Sequence, residues 1–250
     1  MDTKFVIVGA PRTGSTLMVR TLNTINGVIC HGELLQDLVR GLQDGFEPIL
    51  ATEAQRQQRM QRLVTLRNND PVGFVQRALD SHSGVTGMKV LYKAFLNPDW
   101  SPVIEYINNR EDLRYIHIRR TNGLRRYISE SIMNAGGPIH SGVGGRSDKA
   151  TAVHVDIDMF QQSQSIIKQQ DESVTACIAN RPVLDISYEQ LCSSFRKTMS
   201  EVCHYLGIEI DVSSIEPALQ KVGEKNLRMA VNNYDELIEH ATTREMLLRD

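Results

Sequence analysis

The sequence predicts an α/β fold, a three-layer αβα domain built on a central parallel sheet. Three observations predict it. Phe5-Val6-Ile7-Val8 is an unbroken apolar run stopped by Gly9, the pattern of a strand buried on both faces. Short apolar runs then alternate with helix-period segments along the chain, as strand–helix–strand crossovers require. Chemistry-bearing residues follow those runs, behind Val8, Cys30, Leu91 and Ile118, which in a parallel sheet is the ligand-binding carboxyl edge.

The elements follow in order. After the first strand, Leu17, Met18, Leu22 and Ile25 recur at helical spacing up to the Asn26-Gly27 stop. Val28-Ile29-Cys30 reads as a second short strand, and a helix is expected from about Glu33 to Asp44. Helices over about 53–67 and 71–81 lead to the strand Val85–Leu91. A helix near 101–109 precedes the strand Leu113–Ile118, and another runs from Asn122, a suitable N-cap, to Asn134. Residues 136–152 hold five glycines and little apolar content, so a long loop is expected there. A helix over about 155–179, the strand Pro182–Ile186 and a helix around 188–206 ending at Gly207 complete the pattern, with a helical and irregular remainder.

Composition bounds the function. With 250 residues, 41% hydrophobic and 23% charged, the chain reads as one domain over 1–250, and the composition argues against disorder. No stretch approaches the roughly 20 apolar residues of a membrane span. The opening residues read as a strand rather than a leader. Cys30, Cys177, Cys192 and Cys203 lack CxxC spacing, so reduced thiols in a cytoplasmic protein are expected, with no zinc site. A net charge of −2 argues against nucleic acid as a partner. Yet Arg114, Arg119, Arg120, Arg125 and Arg126 cluster around one strand end and helix start, which suits a compact anion or a solvated basic face.

The loop after the first strand, Gly9-Ala-Pro-Arg-Thr-Gly-Ser-Thr16, has the glycine spacing of a phosphate-cradling loop between a strand and a helix. Its backbone N–H groups would converge on an anion at the helix N-terminus. Where a nucleotide triphosphatase carries lysine after the second glycine, this chain has Ser15, and its cation is Arg12, ahead of that glycine.

Ala10-Pro-Arg-Thr-Gly-Ser-Thr-Leu-Met18 resembles the 5′-phosphosulfate loop of sulfotransferases that use 3′-phosphoadenosine 5′-phosphosulfate (PAPS), a family with a P-loop nucleotide-hydrolase-like fold. The resemblance implies that Arg12, Thr13, Gly14, Ser15 and Thr16 hold the 5′-phosphate. It also implies a second site for the 3′-phosphate, an arginine at a strand end and a serine on the next helix. Arg120 and Ser129 have the spacing of the bacterial carbohydrate branch, similar to nodulation-factor and trehalose sulfotransferases; Arg120 is preferred over Arg119, and Arg125 shares a helix face with Ser129. Tyr188, in Val183-Leu-Asp-Ile-Ser-Tyr-Glu-Gln-Leu191, occupies the place of a tyrosine near the adenine, or is structural.

His31-Gly-Glu33 also resembles the carbohydrate branch, which implies Glu33 as general base at the start of its helix. His31 is the alternative base, since an unperturbed imidazole, with a reference pKa of ~6.5, suits proton transfer at neutral pH. Lys89 ends the third strand and is a candidate to face acceptor or sulfonate; Lys225, Arg228 and the 136–151 loop with Arg146 and Lys149 are candidates to close over the site. The implied reaction moves a sulfuryl group to a hydroxyl of a carbohydrate, glycolipid or other small metabolite, without a metal. The helices at 53–81 are candidates for an acceptor wall or a homodimer contact. Two competing readings stay open: a P-loop kinase or triphosphatase, against which Ser15 counts, and a non-catalytic nucleotide-binding relic, against which Arg12 with Glu33 counts.

Overall fold

A computed structural model describes residues 2–43, 52–136, 152–219 and 227–248. Five strands, β1 (Thr3–Gly9), β2 (Val28–Glu33), β3 (Val85–Leu91), β4 (Leu113–Arg119) and β5 (Val183–Ser187), form one sheet in the order β2-β3-β1-β4-β5, with every pairing parallel. β1 lies at the centre and is buried along its whole length, as its apolar run demands. Gly9 pairs with Leu91 on one side and Ile118 on the other, so the strand ends lie level at one edge.

The helices are α1 (Ser15–Leu22), α2 (Glu53–Asn69), α3 (Pro71–Leu79), α4 (Tyr92–Phe95), α5 (Ser101–Asn108), α6 (Gly123–Asn134), α7 (Ile157–Ile178), α8 (Tyr188–Ser193), α9 (Phe195–Leu206), α10 (Leu227–Ala230), α11 (Tyr234–Glu239) and α12 (Ala241–Leu248). Alternating strand residues feed two cores. Val6, Val8, Met88 and Val90 pack with α3, α4, α5 and α7 on one face. Phe5, Ile7, Ile116 and Ile118 pack with α1 and α9 on the other. A third cluster joins α6 and the start of α7 to the C-terminal helices through Leu124, Phe160 and Leu237.

Two expected elements differ. The helix expected from Glu33 does not form over residues 33–43 (Asp44 lies outside the described residues). The chain instead turns back on β2: the N–H of Gly32 donates to Gly41 O at 2.8 Å and that of Arg40 to Glu33 O at 3.0 Å. The apolar spacing that imitates a helix is spent on the core, where Leu34, Leu35 and Val39 are buried. Arg67 of α2 donates to the carbonyls of Leu34 and Gln36, acceptors a helix would have used internally. The helix expected over 188–206 is broken at Ser194 into α8 and α9.

Candidate active site

The loop between β1 and α1 is bent by two residues in the left-handed region, Arg12 at φ 66° and Gly14 at φ 84°. The Thr13 hydroxyl, buried, donates to Ala10 O at 2.8 Å and closes the turn. Gly14 is required twice over, by its φ and because a Cβ there would lie 2.6 Å from Cδ2 of Tyr188. The loop is thus folded against the first residue of α8. A non-glycine residue in this region costs about 1–3 kcal/mol and persists only where its surroundings hold it.

What holds Arg12 is the second predicted anion site. Its Nε donates to Ser129 Oγ on α6 at 3.0 Å, and Nη1 of Arg120 donates to the Arg12 carbonyl at 3.1 Å. The Arg120 guanidinium lies 4.4 Å from the centre of the Tyr188 ring. Arg12, Thr13, Gly14, Arg120, Ser129 and Tyr188, drawn from distant parts of the chain, therefore meet in one place. Burial, opposed by Tyr188 and by acidic neighbours, lowers the pKa of both Arg12 and Arg120. The Nε of Arg120 is buried with no hydrogen-bond partner. A desolvated guanidinium with an unused donor is what an anion site offers. Burial and Cys192 push the Tyr188 phenol up to about 12, so it is neutral at ordinary pH.

Arg119 is occupied elsewhere. Its Nε donates to Asp171 Oδ1 at 2.7 Å, Nη2 to Thr175 Oγ1 at 2.9 Å, and Nη1 pairs with Asp185. Arg119, the last residue of β4, is drawn toward α7, while Arg120, just past the strand end, lies by the loop. Sequence reasoning missed Glu189, whose carboxylate accepts from the N–H groups of Thr121 (3.0 Å) and Asn122 (3.1 Å) and so fixes the turn that carries Arg120. Burial raises its pKa, but those backbone bonds outweigh it and the net shift is downward. Its only signal was its place beside Tyr188. Arg125 is also lowered by burial.

On the acceptor side, β2 bulges at Gly32: His31 pairs with Met88 and Glu33 with Lys89. The extra residue turns Glu33 toward Lys89, and a Cβ on Gly32 would lie 2.5 Å from Arg40 O. Glu33 Oε1 is 2.6 Å from Lys89 Nζ, and that ammonium donates to Thr16 Oγ1 at 2.9 Å. The Lys89 side chain is only 7% exposed and that of Glu33 22%. A single cation thus joins the candidate base to the anion loop. Ser15 is buried at the start of α1. His31 is fully buried, with Nε2 2.8 Å from Ala78 O and Nδ1 accepting from the Gln43 N–H at 3.0 Å.

Arg228 stacks on Tyr234 and pairs with Asp235 at 3.0 Å. Lys225, Arg146, Lys149 and the 137–151 segment lie outside the described residues. All four cysteines are free thiols. Among the described residues no helix is long and apolar enough to cross a membrane.

No family model and no curated protein matches the chain. Among solved structures it resembles the sulfotransferase domain from the Synechococcus PCC 7002 olefin synthase, with a TM-score of 0.56 and 17% identity over 99% of this chain and 92% of that one. The sulfotransferase domain from the curacin biosynthetic pathway gives the same TM-score of 0.56, at 14% identity over 100% of this chain and 97% of that one. At such identities the likeness speaks for the fold: the chain has the three-layer, P-loop-like αβα architecture of sulfotransferase domains.

Proposed function

We propose that the chain is a PAPS-dependent sulfotransferase acting on a hydroxyl of a carbohydrate, glycolipid or other small metabolite. The observation that carries this reading is the meeting of Arg12, Arg120, Ser129 and Tyr188 beside a loop that ends in Ser15-Thr16 rather than lysine. A triphosphate-handling loop needs a lysine for the β- and γ-phosphates. This site offers two guanidinium groups, from the loop and from the end of β4, to a nucleotide that carries anionic groups at both its 5′ and 3′ positions.

In the proposed reaction the backbone N–H groups of Thr13 to Thr16 hold the 5′-phosphate, with the Ser15 and Thr16 hydroxyls beside them. Arg120 and Ser129 take the 3′-phosphate, and Tyr188 covers the adenine. Glu33 accepts the proton of the acceptor hydroxyl as its oxygen attacks sulfur. The bond from sulfur to the phosphate oxygen breaks in line, and Arg12 neutralises the charge that builds on that oxygen. The products are the sulfate ester and adenosine 3′,5′-bisphosphate. Lys89 adds positive field between base and loop, and no step calls for a metal.

The test couples binding to turnover. Adenosine 3′,5′-bisphosphate should raise the melting temperature without magnesium, and ATP with magnesium should do so less. Arg12→Ala and Glu33→Gln should each lower transfer from labelled PAPS by ~10²–10³ while the protein stays folded. Magnesium-dependent stabilisation by ATP alone would favour a kinase-like enzyme, and nucleotide binding with no transfer to any acceptor a non-catalytic relic.

A further inference from the structure

The contacts around His31 concern a different role from proton transfer. Its Nδ1 accepts a hydrogen bond from the Gln43 amide at 3.0 Å, so Nδ1 carries no proton. The ring hydrogen therefore sits on Nε2, which donates to Ala78 O at 2.8 Å. The side chain is fully buried, with its basic lone pair already spent on the backbone. The bond to Gln43 fastens the end of the segment that turns back on β2. That segment is fastened again by Gly32 N–H to Gly41 O and by Arg40 N–H to Glu33 O, the carbonyl of the candidate base itself. From outside, Arg67, buried and stacked over Trp100 at 4.9 Å, grips the carbonyls of Leu34 and Gln36.

We infer that His31 is a positioning residue: through Gln43 it closes the 33–43 loop and holds Glu33 at the β2 bulge, beside Lys89. This rests on the reading of Glu33 as the base. It explains why a histidine and a glutamate stand two apart on one strand with only one of them reaching the anion loop. His31 faces the α3 side, toward Ala78, whereas the bulge returns Glu33 to Lys89.

The two ring nitrogens can be tested separately in the full chain. Asparagine places an acceptor near Nδ1 and glutamine a donor near Nε2, so His31→Asn keeps the Gln43 bond and His31→Gln loses it. In hydrogen exchange, the amides of Gln43 and Arg40 should exchange faster in His31→Gln and stay close to wild type in His31→Asn. With labelled PAPS and the best acceptor from a panel of hydroxylated sugars, His31→Gln should lose about 10²-fold in kcat, as a base displaced by about 1 Å would. His31→Asn should recover most of that loss. Binding of adenosine 3′,5′-bisphosphate should be unchanged in both, and the pH profile of kcat should keep its shape, because Glu33 remains the base in every variant. Gln43→Pro deletes the same donor from an exposed position and should reproduce the loss, even if a His31 variant fails to fold. Unchanged exchange at Gln43 and Arg40, wild-type kcat in His31→Gln and Gln43→Pro, or a pH profile that loses its acidic limb with His31 would each overturn the inference. A Glu33→Gln enzyme at full rate would instead remove the base assignment itself, and the exchange data would still report on the loop.

Discussion

Arg12 combines two properties seldom found in one side chain, a left-handed backbone and a partly desolvated charge. Each is unfavourable alone, and the backbone strain is of order 1–3 kcal/mol. Replacing it separates structure from function. Arg12→Gly removes the strain and the buried charge, losing the bond to Ser129. The variant should melt no lower than wild type, yet lose ~10²–10³ of its sulfuryl transfer. A clear fall in melting temperature would mean that the loop needs the guanidinium for its own shape. The cation could be read from the sequence because its place relative to two glycines is local. The choice between Arg119 and Arg120 was not local. It turns on Asp171 and Asp185, which arrive 52 and 66 positions later and hold Arg119 away from the loop.

Within single elements, β2 and the segment after it departed most from expectation. Leu34, Leu35, Leu38 and Val39 have helical spacing, and nothing nearby in sequence breaks it until Gly41. The break comes from outside, in the grip of Arg67 on two carbonyls and of His31 on Gln43. By contrast, β3 ran over Val85–Leu91 as its apolar run indicated, and Asn122 caps α6 by accepting from the Arg125 N–H at 3.0 Å, because both signals are contained in the segment. The bulge makes a prediction of its own. In Gly32→Ala the new Cβ would meet the Arg40 carbonyl at 2.5 Å, so the returning segment must move. Stability should fall by about 1–3 kcal/mol. Because the bulge sets the Glu33–Lys89 register, kcat should drop while the affinity for adenosine 3′,5′-bisphosphate stays near wild type. Gly14→Ala should do the reverse and weaken nucleotide binding first, since its Cβ strikes the Tyr188 ring. Titration calorimetry of both variants with that bisphosphate separates the two outcomes.

Across the whole molecule, the alternation of strand and helix announced a parallel sheet, but the order β2-β3-β1-β4-β5 depends on which crossovers pack together and had no local signal. One polar network ties those crossovers. The Tyr92 hydroxyl donates to Asp171 Oδ1 at 2.5 Å and lies 2.6 Å from His117 Nε2, while Asp171 and Asp185 also hold Arg119. The ends of β3 and β4, together with β5 and α7, are thereby locked. His117 is almost wholly buried, and burial first, then Arg119, push its pKa down to about 4 from the ordinary ~6.5. Between those two values the unfolded chain takes up a proton that the native state refuses. The stability contributed by neutral His117 is therefore complete above about pH 6.5 and drains away as pH falls toward 4, by up to about 3 kcal/mol. Asp171 acts in the same direction at lower pH: burial raises its pKa, but the bonds from Tyr92 and Arg119 prevail and hold it below the usual carboxylate value. Urea unfolding should accordingly show a lower midpoint at about pH 5 than at about pH 7.5, and His117→Gln, which cannot take up the proton, should flatten that slope even if it is less stable at neutral pH. Equal slopes in the two proteins would mean that His117 already carries its charge in the folded state, and that the carboxylates around it, rather than burial, set its proton affinity.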